Sequence, residues 1–382
     1  RDYFLNRGQK QDIDIVCVGD GIQLAKEVAK QLPNSPKVQA FKTYGTAMLK
    51  AFDLEIEFVG ARTESYSEDS RNPSVKAGTL EDVQNRRDFT INALAVALHP
   101  AEYGYLYDFF KARDDVKNKI LKVLHRFSFL DDPTRIIRGI RLVLQLDLEI
   151  EEETKALMQE AIRLSRFSDV TFPRIYKELR FLFAENPGLG FIDLLREVPF
   201  LRLLYDDYTI PANIEEKWVR ADKFLAYFEN NNYNIKKWPV YFSLILKDIP
   251  RSIIERWSLN LKAKNIILFN PGEYDIKKIT KNQGRVDLYS HLKEFTNEEL
   301  VLLLAEHDNE RLREKILFYL EKISDIVIAV DGNDLLDLGY HEGPIISKAL
   351  DIIKRQVLKG KLKTREKQLE YAKKLKNKLE RK

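Results

Sequence analysis

Three stretches of this chain place acidic and basic side chains at spacings that chemistry could use. Asp12 and Asp14 stand two apart in residues 12–18 (DIDIVCV), which read as a short strand. On a strand, positions i and i+2 share a face, so the two carboxylates would lie about 6–7 Å apart. Residues 52–58 (FDLEIEF) alternate strictly, with Phe52, Leu54, Ile56 and Phe58 on one face and Asp53, Glu55 and Glu57 on the other. Hard oxygen ligands gathered on adjacent strands suit Mg²⁺. Two such ions can activate a hydroxyl and hold a triphosphate for in-line displacement. The solvent face of an edge strand has the same alternation, so the residues alone leave both readings open.

The second stretch is residues 85–93 (NRRDFTINA). Arg87 could meet a phosphate bidentately, with Asp88 and Asn92 fixing a ribose hydroxyl. A capped helix start with surface arginines would look similar. The third is residues 131–141 (DDPTRIIRGIR). Asp132 and Arg135 share one face of a helix start, and Arg135, Arg138 and Arg141 continue it as a ridge. An N-cap aspartate followed by a solvated basic face is the alternative.

These residues need elements to hold them. After the first strand come Gly19-Asp20-Gly21 and a helical pattern over 22–32. Residues 63–78 are polar and Ser-rich, which predicts a mobile surface loop; Asp69 and Arg71 lie in it. Beyond residue 110 the strand signals fade. Asp132-Pro133 reads as an N-cap and N1 pair ahead of a helix over 134–144. Amphipathic helices follow at 151–164, 173–183, 191–204 and 215–228, with breaks at Asn186-Pro187-Gly188, 230–234 and Asn270-Pro271-Gly272. The last stretch is helical, punctuated by Gly332, Gly339 and Gly343-Pro344. The expected class is α+β, a small sheet-containing head followed by a long helical body.

Composition agrees with a globular chain. Of 382 residues, 44% are hydrophobic and 32% charged, which excludes a disordered chain, a collagen or a coiled-coil rod. Aliphatic runs such as residues 301–305 fall far short of the ~18 that a membrane span needs, and no signal-peptide pattern opens the chain. Cys17 stands alone, so no internal disulfide or multi-cysteine zinc site is expected, and the default setting is reducing and cytoplasmic. The five histidines are scattered. The net charge is +4, yet residues 354–382 hold 13 Lys/Arg against 3 Asp/Glu, leaving −6 on the rest. A basic end on an acidic body fits either a docked polyanion or a solvated helix. The sequence opens at Arg1-Asp2 without Met, and an N-terminal segment is expected to precede it.

Taken in order, these strings resemble the class II tRNA nucleotidyltransferase and bacterial poly(A) polymerase family. Arg1-Asp2 is similar to the end of that family's Gly-Gly-x-Val-Arg-Asp motif. Asp12-x-Asp14, the Glu57 to Arg62 spacing, residues 86–93, residues 131–135 and Pro173-Arg174-Ile175-x-x-Glu178-Leu179 follow. Residues 331–344 are similar to the tail of CCA-adding members. The likeness is dense over 1–183, weak over 184–330, and returns at 331–365.

The resemblance implies a nucleotidyltransferase-type β-sheet head (1–110), an all-helical neck that recognises the base (111–185), a helical body (186–270) and a tRNA-binding tail (271–382). It implies Mg²⁺ on Asp12 and Asp14, with Glu57 as third carboxylate and Glu55 as its rival. Arg1, Arg87, Arg138 and Arg141 would hold the nucleotide's phosphates and ribose. Asp132 and Arg135 would read the base. Cytosine and adenine both present an amino donor beside a ring-nitrogen acceptor, matching a carboxylate and a guanidinium, whereas uracil and guanine present the opposite pattern.

The implied activity is addition of CMP and AMP from CTP and ATP to the tRNA 3′ end. The alternatives are addition of the terminal A only, poly(A) synthesis, or a non-catalytic RNA-binding protein on the same scaffold. Three departures stand out: the Gly-Gly is absent, the family's Asp-Pro-Phe-Gly-Gly reads Asp108-Phe109-Phe110-Lys111-Ala112, and Asp131 stands where many members have Glu. His307-Asp308 matches an HD dipeptide without the other ligands of that domain.

Overall fold

The computed structural model describes residues 1–8, 12–42, 45–67, 70–164, 172–184, 187–281 and 283–379, with the pair of strands at 62–77 described by backbone alone. It divides into two compact units, residues 1–182 with 190–208, and residues 183–189 with 209–382.

The first unit opens with β1 (Asp12–Cys17) and α1 (Gly21–Gln31), then β2 (Gln39–Phe41), β3 (Thr46–Ala51) and β4 (Leu54–Gly60). The sheet order is β1-β4-β3-β2, with β1 parallel to β4 and the other pairs antiparallel. Asp20 caps α1, its carboxylate accepting from the Ile22 and Gln23 amides, which satisfies two of the amides orphaned at a helix start. Ala25 and Ala29 of α1 then pack on Ala47, Leu49 and Phe58 of the sheet. The start of α1 presses against the end of β4. A Cβ on Gly60 would stand 2.4 Å from the Gly19 carbonyl oxygen, and one on Gly21 would stand 2.6 Å from the Gly60 nitrogen.

Two expectations are corrected here. The strand expected at 52–58 begins at Leu54; Ala51 pairs with Leu54, leaving Phe52 and Asp53 as a two-residue turn, both with positive φ. Asp53 therefore does not stand on the strand's polar face. The predicted loop at 63–78 is a backbone strand pair, β5 (Arg62–Ser67) against β6 (Ser70–Ala77). Asp69 lies outside the described residues, as do the side chains of Arg62 and Arg71.

The unit continues through α2 (Leu80–Asn85), β7 (Ala95–Val96), β8 (Leu106–Tyr107), α3 (Ala112–Asn118), β9 (Ile120–Leu121) and α4 (Ser128–Asp131) to α5 (Thr134–Leu146). Then come β10 (Glu149–Ile150), α6 (Glu152–Leu164), α7 (Phe172–Leu182) and α8 (Gly190–Glu197). Gly139 has no room for a side chain: a Cβ would meet Phe89 at 2.8 Å and Met158 at 2.9 Å. The buried Phe89 of the 85–93 stretch thus packs directly on α5. Thr90 ties the same stretch down, its amide donating to the Lys122 carbonyl at 2.9 Å and its hydroxyl to Asp115 at 2.6 Å.

The second unit is helical, with α9 (Ile214–Asn230), α10 (Lys237–Ile245), α11 (Arg251–Glu255), α12 (Leu261–Leu268), α13 (Lys277–Thr280) and α14 (Arg285–Leu292). It continues with α15 (Asn297–Glu306), α16 (Glu310–Tyr319), α17 (Gly332–Asp337), α18 (Pro344–Leu358) and α19 (Arg365–Leu379). Trp218 and Tyr241 stack at 4.5 Å at its centre. His307 donates to the Pro271 carbonyl at 2.9 Å. The basic α19 docks by its small apolar side: Ala372 and Leu375 join a core with Leu335 and Ile353, and the Ala329 amide donates to Gln368 at 2.8 Å. Among the described residues no helix is long and apolar enough to cross a membrane.

The Gly60 contact yields a stability test. Gly60→Ala drives a methyl into backbone, which cannot swing aside as a side chain could. We expect a loss of about 1–3 kcal/mol, read as a lowered denaturant midpoint with unchanged slope; a midpoint equal to the parent's would show that the two backbones can part without cost.

Candidate active site

The parallel register of β1 and β4 sets Asp12 opposite Glu55 and Asp14 opposite Glu57. Because in-register neighbours share a face, four carboxylates converge on one side of the sheet. They are not equivalent. Glu55 forms an ion pair with Lys50, its partner on β3. Glu57 is exposed on this face, and its carboxyl is pushed above the ordinary range first by partial desolvation and then by the charge of Asp14, with Arg87 opposing. Arg87 reaches towards the same pair, its Nη1 3.9 Å from Asp14 Oδ2.

The rest of the 85–93 stretch builds a network behind this face. Asp88 is buried. Its Oδ1 accepts from the Phe89 amide at 2.8 Å and from Asn92 Nδ2 at 2.9 Å, while its Oδ2 meets Arg138 Nε at 2.7 Å. Arg1 Nη1 donates to Asn92 Oδ1 at 2.6 Å, and Arg1 Nε to Asp2 at 2.7 Å. Arg1, Asn92, Asp88 and Arg138 therefore form one continuous chain.

Asp132 and Arg135 sit at the start of α5. The helix begins at Thr134 as the sequence suggested, but its N-cap residue is Pro133, one place later than expected, and the Asp132 side chain still caps its first amide. Its Oδ1 accepts from the Thr134 amide at 3.1 Å and hydroxyl at 2.6 Å. Its Oδ2 is held by Arg174 Nη2 of α7 at 2.6 Å. Arg135 donates to Ser128 Oγ at 2.6 Å and to the carbonyl of Arg86 at 2.9 Å, the residue just before Arg87.

Arg141 does not join this set. It pairs with Glu178 of α7 at 3.3 Å and lies over the Phe181 ring. The physical reason is helical pitch: at 3.6 residues per turn, i+6 falls about 120° away from i, so the expected ridge turns off after Arg138. Arg174 and Lys50 were not singled out from sequence. The Pro173-Arg174-Ile175 string contained the first, but nothing local says that its guanidinium reaches a carboxylate 42 residues away in sequence.

The carboxylate face offers oxygen donors only, with no nitrogen or sulfur ligand. Among the described residues no three such groups form a closed metal cage. Two exposed carboxylates on one face nonetheless suit Mg²⁺, which commonly binds through one or two carboxylates and takes remaining ligands from substrate phosphates and water.

Comparison with known proteins bears on the whole chain. A family profile described as the poly A polymerase head domain matches residues 1–122. The A-adding tRNA nucleotidyltransferase of Aquifex aeolicus is 27% identical over 366 residues, covering 94% of this chain and 44% of that protein. The A-adding enzyme of Halalkalibacterium halodurans is also 27% identical, covering 94% of this chain and 83% of that protein. A solved structure of the Thermotoga maritima CCA-adding enzyme complexed with tRNA superposes with a TM-score of 0.73 at 26% identity, covering 97% of this chain and 88% of that one. The chain thus spans less than half the length of the Aquifex relative. Its fold is that of a nucleotidyltransferase head continued by helices. Over its first 122 residues the chain matches the poly A polymerase head domain, and over nearly its whole length it is similar to A-adding and CCA-adding tRNA nucleotidyltransferases.

The Glu57 environment gives a pH test. Because partial desolvation and Asp14 raise its carboxyl, ionisation of Glu57 opposes folding. The stability held at this site is full below the ordinary glutamate range and is lost as pH rises through the raised value. Glu57→Gln, unfolded thermally in chelator, should match the parent near roughly pH 4 and exceed it increasingly towards neutrality. Equal midpoints at every pH would refute the crowding of Asp14 and Glu57.

Proposed function

We propose that this chain transfers nucleoside monophosphates from ATP and CTP to the 3′ end of tRNA. The observation that carries this reading is the physical link between the two halves of the site. Asp14 and Glu57 are approached by Arg87, and the carbonyl of Arg86 is held by Arg135 at the head of the helix that also bears Asp132. Phosphate chemistry and base selection then lie one residue apart along the chain. The head, neck, body and tail layout expected from sequence is kept as part of the proposal.

Asp12 and Asp14 would hold Mg²⁺, with Glu57 beside them. Such an ion polarises the attacking 3′-hydroxyl and the leaving pyrophosphate oxygen. The chain's own residues do the rest. Arg87 receives phosphate charge, and the Arg1–Asn92–Asp88–Arg138 chain presents fixed donors to the sugar and phosphates. Asp132 uses three of its roughly four acceptor positions internally, which leaves Oδ2 able to accept one more donor, the amino group of adenine or cytosine. Arg135 has five N–H groups, two of them engaged by Ser128 and Arg86, so others remain for the ring nitrogen. Arg174 fixes the carboxylate so that it faces the base in one orientation. Uracil or guanine would oppose acceptor to acceptor there, at about 1–3 kcal/mol per unsatisfied contact.

In the second unit, Lys293, Lys354 and Arg355 stand 5.6, 5.2 and 5.9 Å from the Tyr289 ring centre, and Asp351 pairs with Lys293 and Arg355. This surplus of positive charge supports tRNA backbone contact by the tail. The names of the Aquifex and Halalkalibacterium relatives favour a second reading, addition of the terminal A alone.

The test uses tRNAs ending at the discriminator base, at C and at CC, each with one labelled nucleotide. Incorporation of C on the first two supports full addition, whereas AMP on the CC primer alone supports the A-only reading. UMP or GMP taken up as readily as AMP would refute the side-chain template, and Asp12→Ala with undiminished transfer would refute the carboxylate site. Arg174→Ala should reduce the preference for ATP over UTP by about tenfold, since it frees the carboxylate that reads the base; an unchanged preference would remove Arg174 from the template.

A further inference from the structure

The turn between β3 and β4 is built from the wrong residues for its geometry. Phe52 and Asp53 have φ of 54° and 62°, and Ala51 pairs with Leu54 across them. Two-residue hairpin turns with both central residues at positive φ favour Asn-Gly, Asp-Gly or Gly-Gly. Asp tolerates the left-handed region, but a bulky aromatic there is an outlier that costs free energy. Burial does not repay the cost, because Phe52 is 68% exposed. Among the described residues no aromatic ring packs on it.

The position of the turn is informative. An open cleft is lined by Asp12, Phe52, Asp53 and Glu55, so the ring borders the carboxylate face. Along β1, Asp14 is the end approached by Arg87, and through Arg86 and Arg135 it leads to the base-reading helix. The Phe52 turn lies at the other end, beyond Asp12. A nucleotide held by Arg87, Asp132 and Arg135 fills the first side. The second substrate, the RNA whose 3′-hydroxyl attacks, must enter from the side that remains.

We infer that Phe52 is a primer-binding residue, its ring stacking on the 3′-terminal base of the acceptor RNA and setting the terminal ribose against Asp12. This rests on the nucleotidyl-transfer reading above. An aromatic face stacks on any base, so one residue serves whichever nucleotide currently ends the primer. The identity of the incoming nucleotide is left to α5.

The test separates binding from folding. Phe52→Asn suits the left-handed turn and should raise the denaturation midpoint. The same variant should raise the KM for primer RNA about tenfold through loss of one stacked base, with the KM for ATP unchanged. Phe52→Tyr should keep the parent's primer KM. A primer carrying 2-aminopurine at its 3′ end reports stacking without turnover: its fluorescence should be quenched by the parent and by Phe52→Tyr, and not by Phe52→Asn. Parent-like primer KM and quenching in Phe52→Asn would overturn the inference, as would an equal rise in the KM for ATP. If the parent transfers no nucleotide to any RNA, the functional reading fails first and takes this inference with it; transfer that persists while quenching is indifferent to Phe52 overturns the inference alone.

Discussion

Everything in the head answers to one electrostatic problem: a parallel strand pair that sets Asp14 beside Glu57. Two like charges at neighbouring positions repel, and partial desolvation of Glu57 weakens the water screening between them. The fold tolerates the arrangement because positive charge is delivered from a distant stretch of chain. Arg87 arrives on a segment that is itself clamped by Phe89 packing, by Thr90 hydrogen bonds and by the Arg138–Asp88 pair. Lys50 meanwhile pairs with Glu55, leaving Asp12, Asp14 and Glu57 as the carboxylates assigned to the cation in the proposed reading.

In the proposed reading, base selection is a problem of hydrogen-bond capacity. The Arg135 amide donates to the Asp132 carbonyl at 3.0 Å, while the two side chains are each anchored elsewhere, Asp132 by Thr134 and Arg174, Arg135 by Ser128 and Arg86. Anchoring matters because an unrestrained carboxylate or guanidinium could swing to satisfy either hydrogen-bond pattern and would discriminate nothing.

Much of this was legible in the sequence, and the failures have physical causes. Strict alternation identified the outward face of Glu55 and Glu57 correctly. It also drew Phe52 and Asp53 into the strand, because a turn that continues the apolar-polar alternation cannot be told from a strand by periodicity. β3 escaped notice because Thr46, Met48 and Lys50 alternate with Ala47, Leu49 and Ala51, a contrast of volume more than polarity. The strands at 62–77 carry few apolar side chains, and backbone pairing leaves no periodic trace in so polar a stretch. The helix at 134–146 was evident from its cap, but three arginines at equal spacing suggested one ridge where helical pitch makes two directions. Arg174 could be found only once α5 and α7 were seen side by side.

The missing side chain at position 139 has a further meaning. It lets the aromatic ring of residue 89 sit against the helix axis, so the 85–93 and 131–141 stretches are joined as a single packed piece. Any lineage that enlarges residue 139 must shrink residue 89 or residue 158 in the same stroke. These three positions should therefore drift together, linked by volume and not by chemistry.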